Sequence, residues 1–416
     1  MTPDEFIKYL RKNILPQYEF DVADASGESA IISLKRKQGH PYECSKCHQY
    51  SLIAYDAMPT RYVEDIPWAN QRVFFKFTPM RIQCPYCKET HVEELPGLTP
   101  SSRQTDRFRY YLASRCDQTS IAEVARQYGL NQKTIRRIDK EFLEKRKQIT
   151  PIQYCRQLGI DEIAIAKGHT YATVFYDHEK RCVLNIVEGR KIEAVVRFFD
   201  EMGADWCNHV EVVTMDLWKA FKTAVKQKLK NAHIVTDKFH VHKYCNDALE
   251  ALRRNRAANL SEQGCKNIPN CRFLLLKAGA TLNTSQQSRL EVVSEMNKDL
   301  YKGYLLKETV YSFYEAENAT QGEQLLNSWV QDCINSGLKP FIKLGGLLQR
   351  NAYSILAYFK YRLSNGFAEG INNKIKVVKR IAFGFHDFEY FKLKILNVTG
   401  YLAPLDEKFF THTFGT

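Results

Sequence analysis

The pattern of apolar and polar positions changes character along the chain. Residues 1 to about 100 contain prolines, turn residues and short segments in which apolar and polar residues alternate, such as Arg72–Phe77. Residues 103–148 contain no proline and carry apolar residues at helical spacing. Alternation with period two is typical of half-buried strands, and a spacing of three to four residues is typical of helices. The sequence therefore predicts a small β-rich module followed by a short helical domain, with a boundary at Thr150–Pro151.

From Arg156 onward the pattern predicts a mixed α/β domain. Strands are predicted at 158–165, 171–176, 182–187, 209–215 and 232–236, and helices at 191–202 and 217–229. The order β-β-β-α-β-α-β indicates a mixed sheet with helices on its faces. Residues 239–340 and 363–398 are again predicted to be helical. The chain of 416 residues is long enough for two or three folded units, so the fold class is multidomain α/β.

The charge balance of the chain bears on its binding partners rather than on its fold. Lys and Arg number 60 against 47 Asp and Glu, which gives a formal net charge of +13. Such an excess indicates a polyanionic partner, with nucleic acid first and an anionic membrane surface second. The chain has no run approaching about 18 apolar residues and no apolar signal segment at its start. A soluble cytoplasmic protein is therefore expected, and no membrane partner.

Four of the twelve cysteines lie in two tight pairs, Cys44-Ser-Lys-Cys47 and Cys84-Pro-Tyr-Cys87. Each Cys-x-x-Cys turn can direct two thiolates at one centre, and two turns supply the four ligands of a structural Zn²⁺ site. Disulfide frameworks belong mostly to small secreted chains, so pairs in a large basic chain favour a metal. The alternatives are thiols that only pack, a redox pair, and haem attachment at the Cys-x-x-Cys-His string. His48 and His91 are spare candidate ligands.

The segment 119–138 has the pattern of a helix-turn-helix. Its apolar residues fall on one helical face, Gly129 permits a sharp turn, and Ile135 and Ile138 can pack a second helix against the first. Amide and guanidinium side chains on this second helix suit base edges and phosphates in a DNA groove. The candidate DNA-binding residues are Asn131, Gln132, Lys133, Arg136 and Arg137. The alternative is an ordinary helical hairpin with a basic face.

Carboxylates at predicted strand ends are the candidates for catalysis. Asp161 lies on the first strand of the mixed domain, and Asp216 follows the strand 209–215. Glu369 lies on a predicted helix and shares a face with Asn373, Lys376 and Arg380. Phosphodiester cleavage needs hard divalent cations held by oxygen ligands, and three carboxylates suffice for two Mg²⁺ ions. Each acid by itself could equally be a surface or strand-end residue.

These residues together resemble the bacterial insertion-sequence transposases with a DDE triad, of the ISL3 type, over most of the chain. The resemblance rests on the cysteine pairs, the helix-turn-helix, Gly159-Ile-Asp161-Glu, Met215-Asp216, Asp237-Lys-Phe-His240 and Ser364-Asn-Gly-Phe-Ala-Glu369-Gly-Ile-Asn-Asn-Lys. It implies an RNase H-like catalytic core with a helical insertion before the glutamate. It also implies a triad of Asp161, Asp216 and Glu369 that binds Mg²⁺ or Mn²⁺.

Asp237 and His240 match an Asp-x-x-His motif of related transposases, where the motif lies near the catalytic centre. A role in orienting the scissile strand is one interpretation, and a strand-end acid with a helix-capping histidine is the other. Asp237 also competes with Asp216 for the second place in the triad, because it too ends an apolar strand. Asp216 is preferred because it follows the fourth predicted strand.

The expected organisation follows from these motifs. It comprises a zinc module at 1–100, the helix-turn-helix domain at 101–150, the catalytic core at 151–238 and 340–400, the helical insertion at 239–339 and a tail at 401–416. The basic segment 338–395 is expected to line the DNA path, with Asn373, Lys376, Lys379 and Arg380 as contact residues.

The expected function is binding of terminal inverted repeats, hydrolysis of the phosphodiester at the element's end, and attack of the freed 3′-hydroxyl on target DNA. The partners are double-stranded DNA and, by the resemblance, further copies of the chain assembled on DNA in the nucleoid. The alternatives are a non-catalytic regulator that keeps the zinc and helix-turn-helix modules, and an RNase H-like nuclease without strand transfer. Trp206, Trp218 and Trp329 are expected to be core residues, with base-flanking aromatics as the alternative.

Overall fold

The computed structural model describes residues 17–24, 28–68, 71–95, 97–99, 101–166, 170–262, 271–364, 366–382, 385 and 387–404. They form two compact units. The first contains the described residues up to Thr150 together with Leu402–Pro404, and the second spans Pro151–Tyr401. No helix in the described ranges is long and apolar enough to cross a membrane.

The first unit begins with nine strands. They are β1 (Tyr18–Asp24), β2 (Ser29–Arg36), β3 (Tyr42–Cys44), β4 (Tyr50–Ser51), β5 (Ala54–Ala57), β6 (Arg61–Trp68), β7 (Gln71–Phe77), β8 (Met80–Gln83) and β9 (Thr90–Glu94). One sheet has the order β1-β2-β7-β6 and the other β4-β3-β9-β8-β5. Strand β7 confirms the predicted strand, and its alternate residues Val73, Phe75 and Phe77 are buried in the core of the first sheet. The module is therefore β-rich, as the alternating pattern predicts.

Three helices follow in the same unit, α1 (Asp106–Cys116), α2 (Ile121–Gln127) and α3 (Gln132–Ile149). Ser120 begins α2 by accepting a hydrogen bond from the Glu123 amide, which satisfies an otherwise unpaired donor of the first turn. Gly129 has φ +63°, a conformation that costs glycine little, and so allows the turn before α3. Ile135 and Ile138 of α3 are fully buried against the other two helices. The predicted helical hairpin is confirmed.

The second unit contains a five-stranded mixed sheet. Its strands are β10 (Gln157–Ala166), β11 (Thr170–Asp177), β12 (Cys182–Glu188), β13 (Val212–Met215) and β14 (His233–Thr236). They lie in the order β12-β11-β10-β13-β14. Strand β11 is antiparallel to β10 and β12, whereas β10, β13 and β14 are mutually parallel. The predicted mixed sheet is confirmed.

Helices cover this sheet on both faces. Helices α4 (Ile192–Met202), α5 (Ala204–His209) and α6 (Lys219–Lys228) pack on one face around a shared apolar core. Near the end of the chain, α13 (Ala352–Tyr361) packs against β14, α14 (Gly366–Ile381) against β10, and α15 (Phe388–Val398) against β12.

The segment between β14 and α13 forms a helical cluster with its own core. Its helices are α7 (Lys238–Glu262), α8 (Arg272–Leu276), α9 (Thr284–Met296), α10 (Lys298–Phe313), α11 (Ala319–Asn335) and α12 (Lys339–Arg350), with a 3₁₀ turn at Gly279–Thr281. Trp329 of α11 is 4% exposed and donates its indole N–H to the Leu306 carbonyl. The predicted helical stretch is thus confirmed, and its apolar core continues into α13, the helix that packs on β14.

The region predicted to be helical at 363–398 comprises two helices, α14 and α15. Two other expectations about this unit were wrong in detail. The strand predicted at 209–215 begins at Val212, because the residues up to His209 belong to the short helix α5, whose Trp206 and Cys207 are buried in the core. Trp206 and Trp329 are core residues as predicted, but Trp218 is 44% exposed, because it stands before the first residue of α6.

Candidate functional site

The four paired cysteines lie together at the tips of two similar hairpins. Cys44 ends β3 and Cys84 follows β8. In each hairpin the residue after the second cysteine, His48 or Lys88, has a positive φ and donates its amide to the carbonyl of the first cysteine. The repeated geometry directs both thiols of each pair towards one centre.

Distances between the sulfur atoms match a tetrahedral site. The Sγ atoms of Cys44 and Cys87 are 3.9 Å apart, and those of Cys47 and Cys84 are 3.5 Å apart. Ligands about 2.3 Å from a tetrahedral zinc ion are roughly 3.8 Å from each other. Among the described residues, this is the one group of three or more metal-binding side chains whose ligand atoms all lie within 4.8 Å. The spare candidates His48 and His91 are not members of it, and each instead pairs with a glutamate.

The thiols of the cluster differ in acidity. Amide groups of Cys87 and Tyr86 donate to Cys84 and, against its desolvation, lower the pKa of that thiol to about 7. Against a backbone hydrogen bond from Gln49, desolvation and the neighbouring thiols raise the pKa of Cys47 to about 11, and the pKa of Cys87 is also raised. Cys84 is therefore the thiol shifted towards the thiolate, which is the form that binds a metal.

The predicted DNA-reading surface lies on the first turns of α3. Gln132, Lys133, Arg136 and Arg137 are exposed, whereas Ile135 and Ile138 on the opposite side are buried. Asn131 is also exposed, but its side-chain oxygen accepts a hydrogen bond from the Lys133 amide and begins the helix. Asn131 thus orients α3, and the amide and cationic side chains after it point outward.

In the second unit, three aspartates lie at the same level on three adjacent parallel strands. Gly159 of β10 pairs with Thr214 of β13, and Asp161 and Asp216 come two residues later on their strands. Met215 pairs with Thr236 of β14, and Asp216 and Asp237 are the next residues. The three side chains therefore occupy one edge of the sheet, where the parallel strands β13 and β14 end.

Gly159 is required by the packing beneath this edge. A Cβ atom at this position would lie 2.0 Å from the ring of Tyr176, which is its partner on β11 and is almost completely buried. The ring cannot move away, because it is enclosed and contacts Phe367 at 6.3 Å between centroids. The glycine thus allows the strand that carries Asp161 to lie close to its neighbour.

His240, on the first turn of α7, joins the three carboxylates. Its Nε2 atom lies 3.7 Å from Asp161 and 4.0 Å from Asp237, and its Nδ1 atom lies 3.5 Å from Asp216. Burial lowers the pKa of His240, but the three carboxylates outweigh this effect, so the pKa is raised above its ordinary value. The imidazole therefore offsets part of the negative charge at this edge.

Two further side chains hold the other oxygens of Asp161 and Asp216. Asn372 of α14 donates its amide to Asp161 Oδ2 at 2.8 Å, and Tyr244 of α7 donates its hydroxyl to Asp216 Oδ1 at 2.8 Å. Burial and the charge of Asp216 raise the pKa of Tyr244, so the phenol remains a donor. Neither residue was singled out from the sequence. Asn372 stands in the same Asn-Asn pair as Asn373, and only tertiary contact shows which of the two faces the sheet.

Glu369 lies on the first turn of α14, one turn before Asn372, and is exposed. Among the described residues it forms no hydrogen bond or ion pair, so the structure brings Asp161, Asp216, Asp237 and His240 into contact but not Glu369. Asn373, Lys376 and Arg380 of the same helix are exposed, and Lys379 donates to the Ala164 carbonyl at 3.2 Å. Helix α14 is therefore fixed against β10 by Asn372 and Lys379, and its other polar side chains face solvent.

Comparison with known proteins shows the family to which the chain belongs. A DDE-type model of the ISL3 group, described as "Transposase", matches residues 158–395, and a model described as "Helix-turn-helix domain of transposase family ISL3" matches residues 93–143. The chain belongs to the ISL3 family of transposases. The resemblance stated from the motifs is confirmed. The matched segments include the helix-turn-helix and the motifs between Gly159 and Lys374, whereas the cysteine pairs lie outside them.

Two relatives extend the similarity of this ISL3 chain over nearly its whole length. It is 30% identical over 355 residues to the transposase for insertion sequence element IS1001 of Bordetella parapertussis, covering 85% of this chain and 87% of that protein. It is 24% identical over 424 residues to the transposase for insertion sequence element IS1557 of Mycobacterium tuberculosis, covering 95% and 94%.

Proposed function

We propose that this ISL3 transposase binds the terminal inverted repeats of its insertion sequence, hydrolyses the phosphodiester at each end and joins the freed 3′-hydroxyl to target DNA. The observation that carries the proposal is the pair of partly exposed carboxylates, Asp161 and Asp216, at one level on adjacent parallel strands. Two carboxylates held this close repel each other, which is unfavourable for the folded protein. A regulator that only binds DNA would gain nothing from this arrangement.

The strand arrangement supports an RNase H-like catalytic core. Three antiparallel strands followed by two parallel strands give the order β12-β11-β10-β13-β14, with the first strand in the middle. This topology places the end of β13 directly beside Asp161. The helical cluster that follows β14 then corresponds to the insertion expected before Glu369.

The donor set fits hard divalent cations. We propose Asp161, Asp216 and Glu369 as the ligands, all three offering carboxylate oxygens of the kind that Mg²⁺ and Mn²⁺ prefer. Side-chain exposure is 13% for Asp161 and 21% for Asp216, but 1% for Asp237. A ligand must remain accessible to the DNA that shares its metal, so these values support Asp216 rather than Asp237 as the second member. Bound cations would activate the attacking oxygen and stabilise the leaving one.

The protein's own residues have separate tasks in this proposal. Asn372 and Tyr244 fix one oxygen of each aspartate, so the remaining oxygens point in a set direction. Asp237 and His240 support the same edge from β14 and α7, and His240 limits the repulsion among the acids. The four-cysteine cluster would hold a structural Zn²⁺ that stabilises the N-terminal module. The outward residues of α3 would enter the major groove.

The proposal is tested with the full chain and a duplex that carries one end of the element, incubated with Mg²⁺. We expect a strand cut that leaves a 3′-hydroxyl, followed by covalent joining of that strand to a plasmid target, with both products lost in EDTA. Cutting without joined products would favour a nuclease. Sequence-specific binding without any cut would favour the regulator and overturn the catalytic proposal.

Removing the two positioning side chains should change metal dependence rather than fold. In Asn372→Ala or Tyr244→Phe, a carboxylate oxygen loses its partner, and we expect the Mg²⁺ concentration for half-maximal cleavage to rise about 10- to 100-fold, as for outer-shell partners of metal ligands. Saturating Mg²⁺ or Mn²⁺ should restore much of the rate. An unchanged metal profile with a uniformly lower rate would assign these residues a purely structural role. Tyr353→Phe, at an exposed position, is the matched control for the lost hydroxyl.

Removing the cations at the start of α3 should weaken DNA binding and its salt dependence. For Arg136→Ala with Arg137→Ala, each lost phosphate contact should reduce the slope of log affinity against log salt by about 0.9. A lost base contact should also relax specificity by about 1–3 kcal/mol. Binding of the element end and of a scrambled duplex is measured at two or more salt concentrations. Lys147→Ala, exposed at the far end of α3, should leave specificity unchanged, and equal losses in both proteins would contradict this surface.

A further inference from the structure

Two exposed aromatic side chains stand beside the carboxylate edge. Trp218 follows Asp216 by two residues and is 44% exposed, and Phe239 follows Asp237 by two residues and is 55% exposed. Met215 pairs with Thr236 on the parallel strands β13 and β14, so Asp216 and Asp237 lie at one level of the sheet. Trp218 and Phe239 each stand two residues beyond that level. Singly exposed aromatic side chains are common on protein surfaces and occur elsewhere in this structure, so exposure alone is not a signal. What distinguishes Trp218 and Phe239 is their placement beside the carboxylates.

Both aromatic side chains are connected to the site through ring and ion-pair contacts. The ring of Phe239 meets that of His240 edge to face, with 5.9 Å between centroids and an angle of 86°. The guanidinium of Arg190 lies 5.3 Å from the indole centroid of Trp218, and its Nη1 atom lies 3.7 Å from Glu162, the residue after Asp161. Trp218 and Phe239 thus flank the groups that we propose to act on the phosphodiester.

The surface beyond Trp218 is concave and carries one more cationic than acidic side chain. Arg190 also stacks on Tyr171, at 4.3 Å from the ring centroid. Next to this pair is a cleft of about 540 Å³, lined in part by Arg190, Lys191 and Arg197, with Glu188 and Glu193 as its acids. Aromatic faces alongside a cationic groove are the combination that binds single-stranded nucleic acid, because bases stack on the rings while the phosphates follow the charges.

We propose that Trp218, with Arg190 behind it and Phe239 beside it, forms a stacking platform for an unpaired base at the DNA end that is being cut. The proposal rests on the proposed function, since it places the base next to Asp161 and Asp216. A base withdrawn from the duplex loses its stacking neighbours, and the indole face replaces one of them. The platform would therefore favour local opening of the duplex where the strand must reach the carboxylates.

The experiment is a double-mutant cycle between a side chain and a base. Full-length wild type, Trp218→Ala and Trp218→Phe are tested for affinity and cleavage rate on a duplex carrying one element end. The same duplexes are made with a single abasic site at each position around the cut. We expect Trp218→Ala to lose about 5- to 150-fold on the intact duplex, and Trp218→Phe much less. At one abasic position the difference between wild type and Trp218→Ala should disappear, because no base remains to stack.

Phe273→Ala is the matched control, since Phe273 is 68% exposed and Arg272 lies 5.7 Å from its ring centroid, but on helix α8. It should leave affinity and cleavage unchanged, and the thermal midpoints of all variants should agree. If the loss in Trp218→Ala is the same at every abasic position, the platform is wrong. A wild type that cuts normally would then leave the proposed function standing. A wild type that binds without cutting removes the catalytic proposal, while the cycle in affinity still decides the platform.

Discussion

Glu369→Gln should bind the element end like wild type and cut it about 10²- to 10³-fold more slowly, the loss typical of removing one stabilising group at the reaction centre. The change keeps the size and shape of the side chain, removes its charge and replaces one accepting oxygen by a donating amide group. Glu369 is exposed on the first turn of α14, so folding should be unaffected. The measurement combines cleavage rate with equilibrium binding on the same duplex.

Substitutions of the three aspartates should distinguish the two proposed metal ligands, Asp161 and Asp216, from Asp237. Asp161→Asn and Asp216→Asn should match the loss in Glu369→Gln, whereas Asp237→Asn should lower stability first, because that carboxylate is buried. Glu323→Gln, an exposed acid on α11, serves as the control and should cut at the wild-type rate. Full activity in Glu369→Gln, or in either Asp161→Asn or Asp216→Asn, would remove that residue from the triad.

Cys44→Ser should release the zinc ion that we propose for the four-cysteine cluster. Metal analysis should give about one zinc per wild-type chain and close to none in the variant. Because binding of a structural zinc ion contributes directly to folding, the N-terminal module should lose its cooperative unfolding transition. A chelator strong enough to remove zinc should have the same effect on wild type.

The control for this experiment is Cys116→Ala, which alters a buried thiol in the helical part of the same unit, outside the cluster. It should retain the metal and lose stability only modestly. Zinc retained in Cys44→Ser, or a wild-type protein without zinc whose module still unfolds cooperatively, would contradict the metal site.

The strands of the mixed sheet could be predicted because buried strands leave a strong local signal. β10, β11 and β12 are largely apolar segments separated by short polar segments, and each lies within one or two residues of its predicted bounds. The start of β13 was predicted three residues too early, because residues 209–212 alternate polar and apolar side chains as a half-buried strand does. Only packing of Trp206 against Phe198 selects the helix.

Site residues on or just after strands could be predicted from the sequence. Site residues on helices could not, because the sequence does not show which side of a helix faces the sheet. Asp161 lies on one predicted strand and Asp216 follows another, so their proximity needed only a parallel pairing of these two strands. On α14 neighbouring residues differ by about 100° in direction, and Asn372 rather than Asn373 faces Asp161. Nothing in the sequence pattern indicates that Tyr244 belongs to the site, because its role depends on a contact with Asp216, 28 residues earlier in the chain.

The hydrogen bond between Asn372 and Asp161 joins residues 211 positions apart. At about 5–20 residues per second, a ribosome needs roughly 10–40 s to make the intervening chain. The helices of the helix-turn-helix are synthesised before the first of the three aspartates, whereas Leu402 and Ala403, whose carbonyls accept from Arg146, are made near the end. A chain interrupted inside the helical cluster would therefore carry the surface that we propose to bind the DNA end, but neither Glu369 nor Asn372. If that surface binds as proposed, incomplete translation products compete with the finished enzyme for the element's ends.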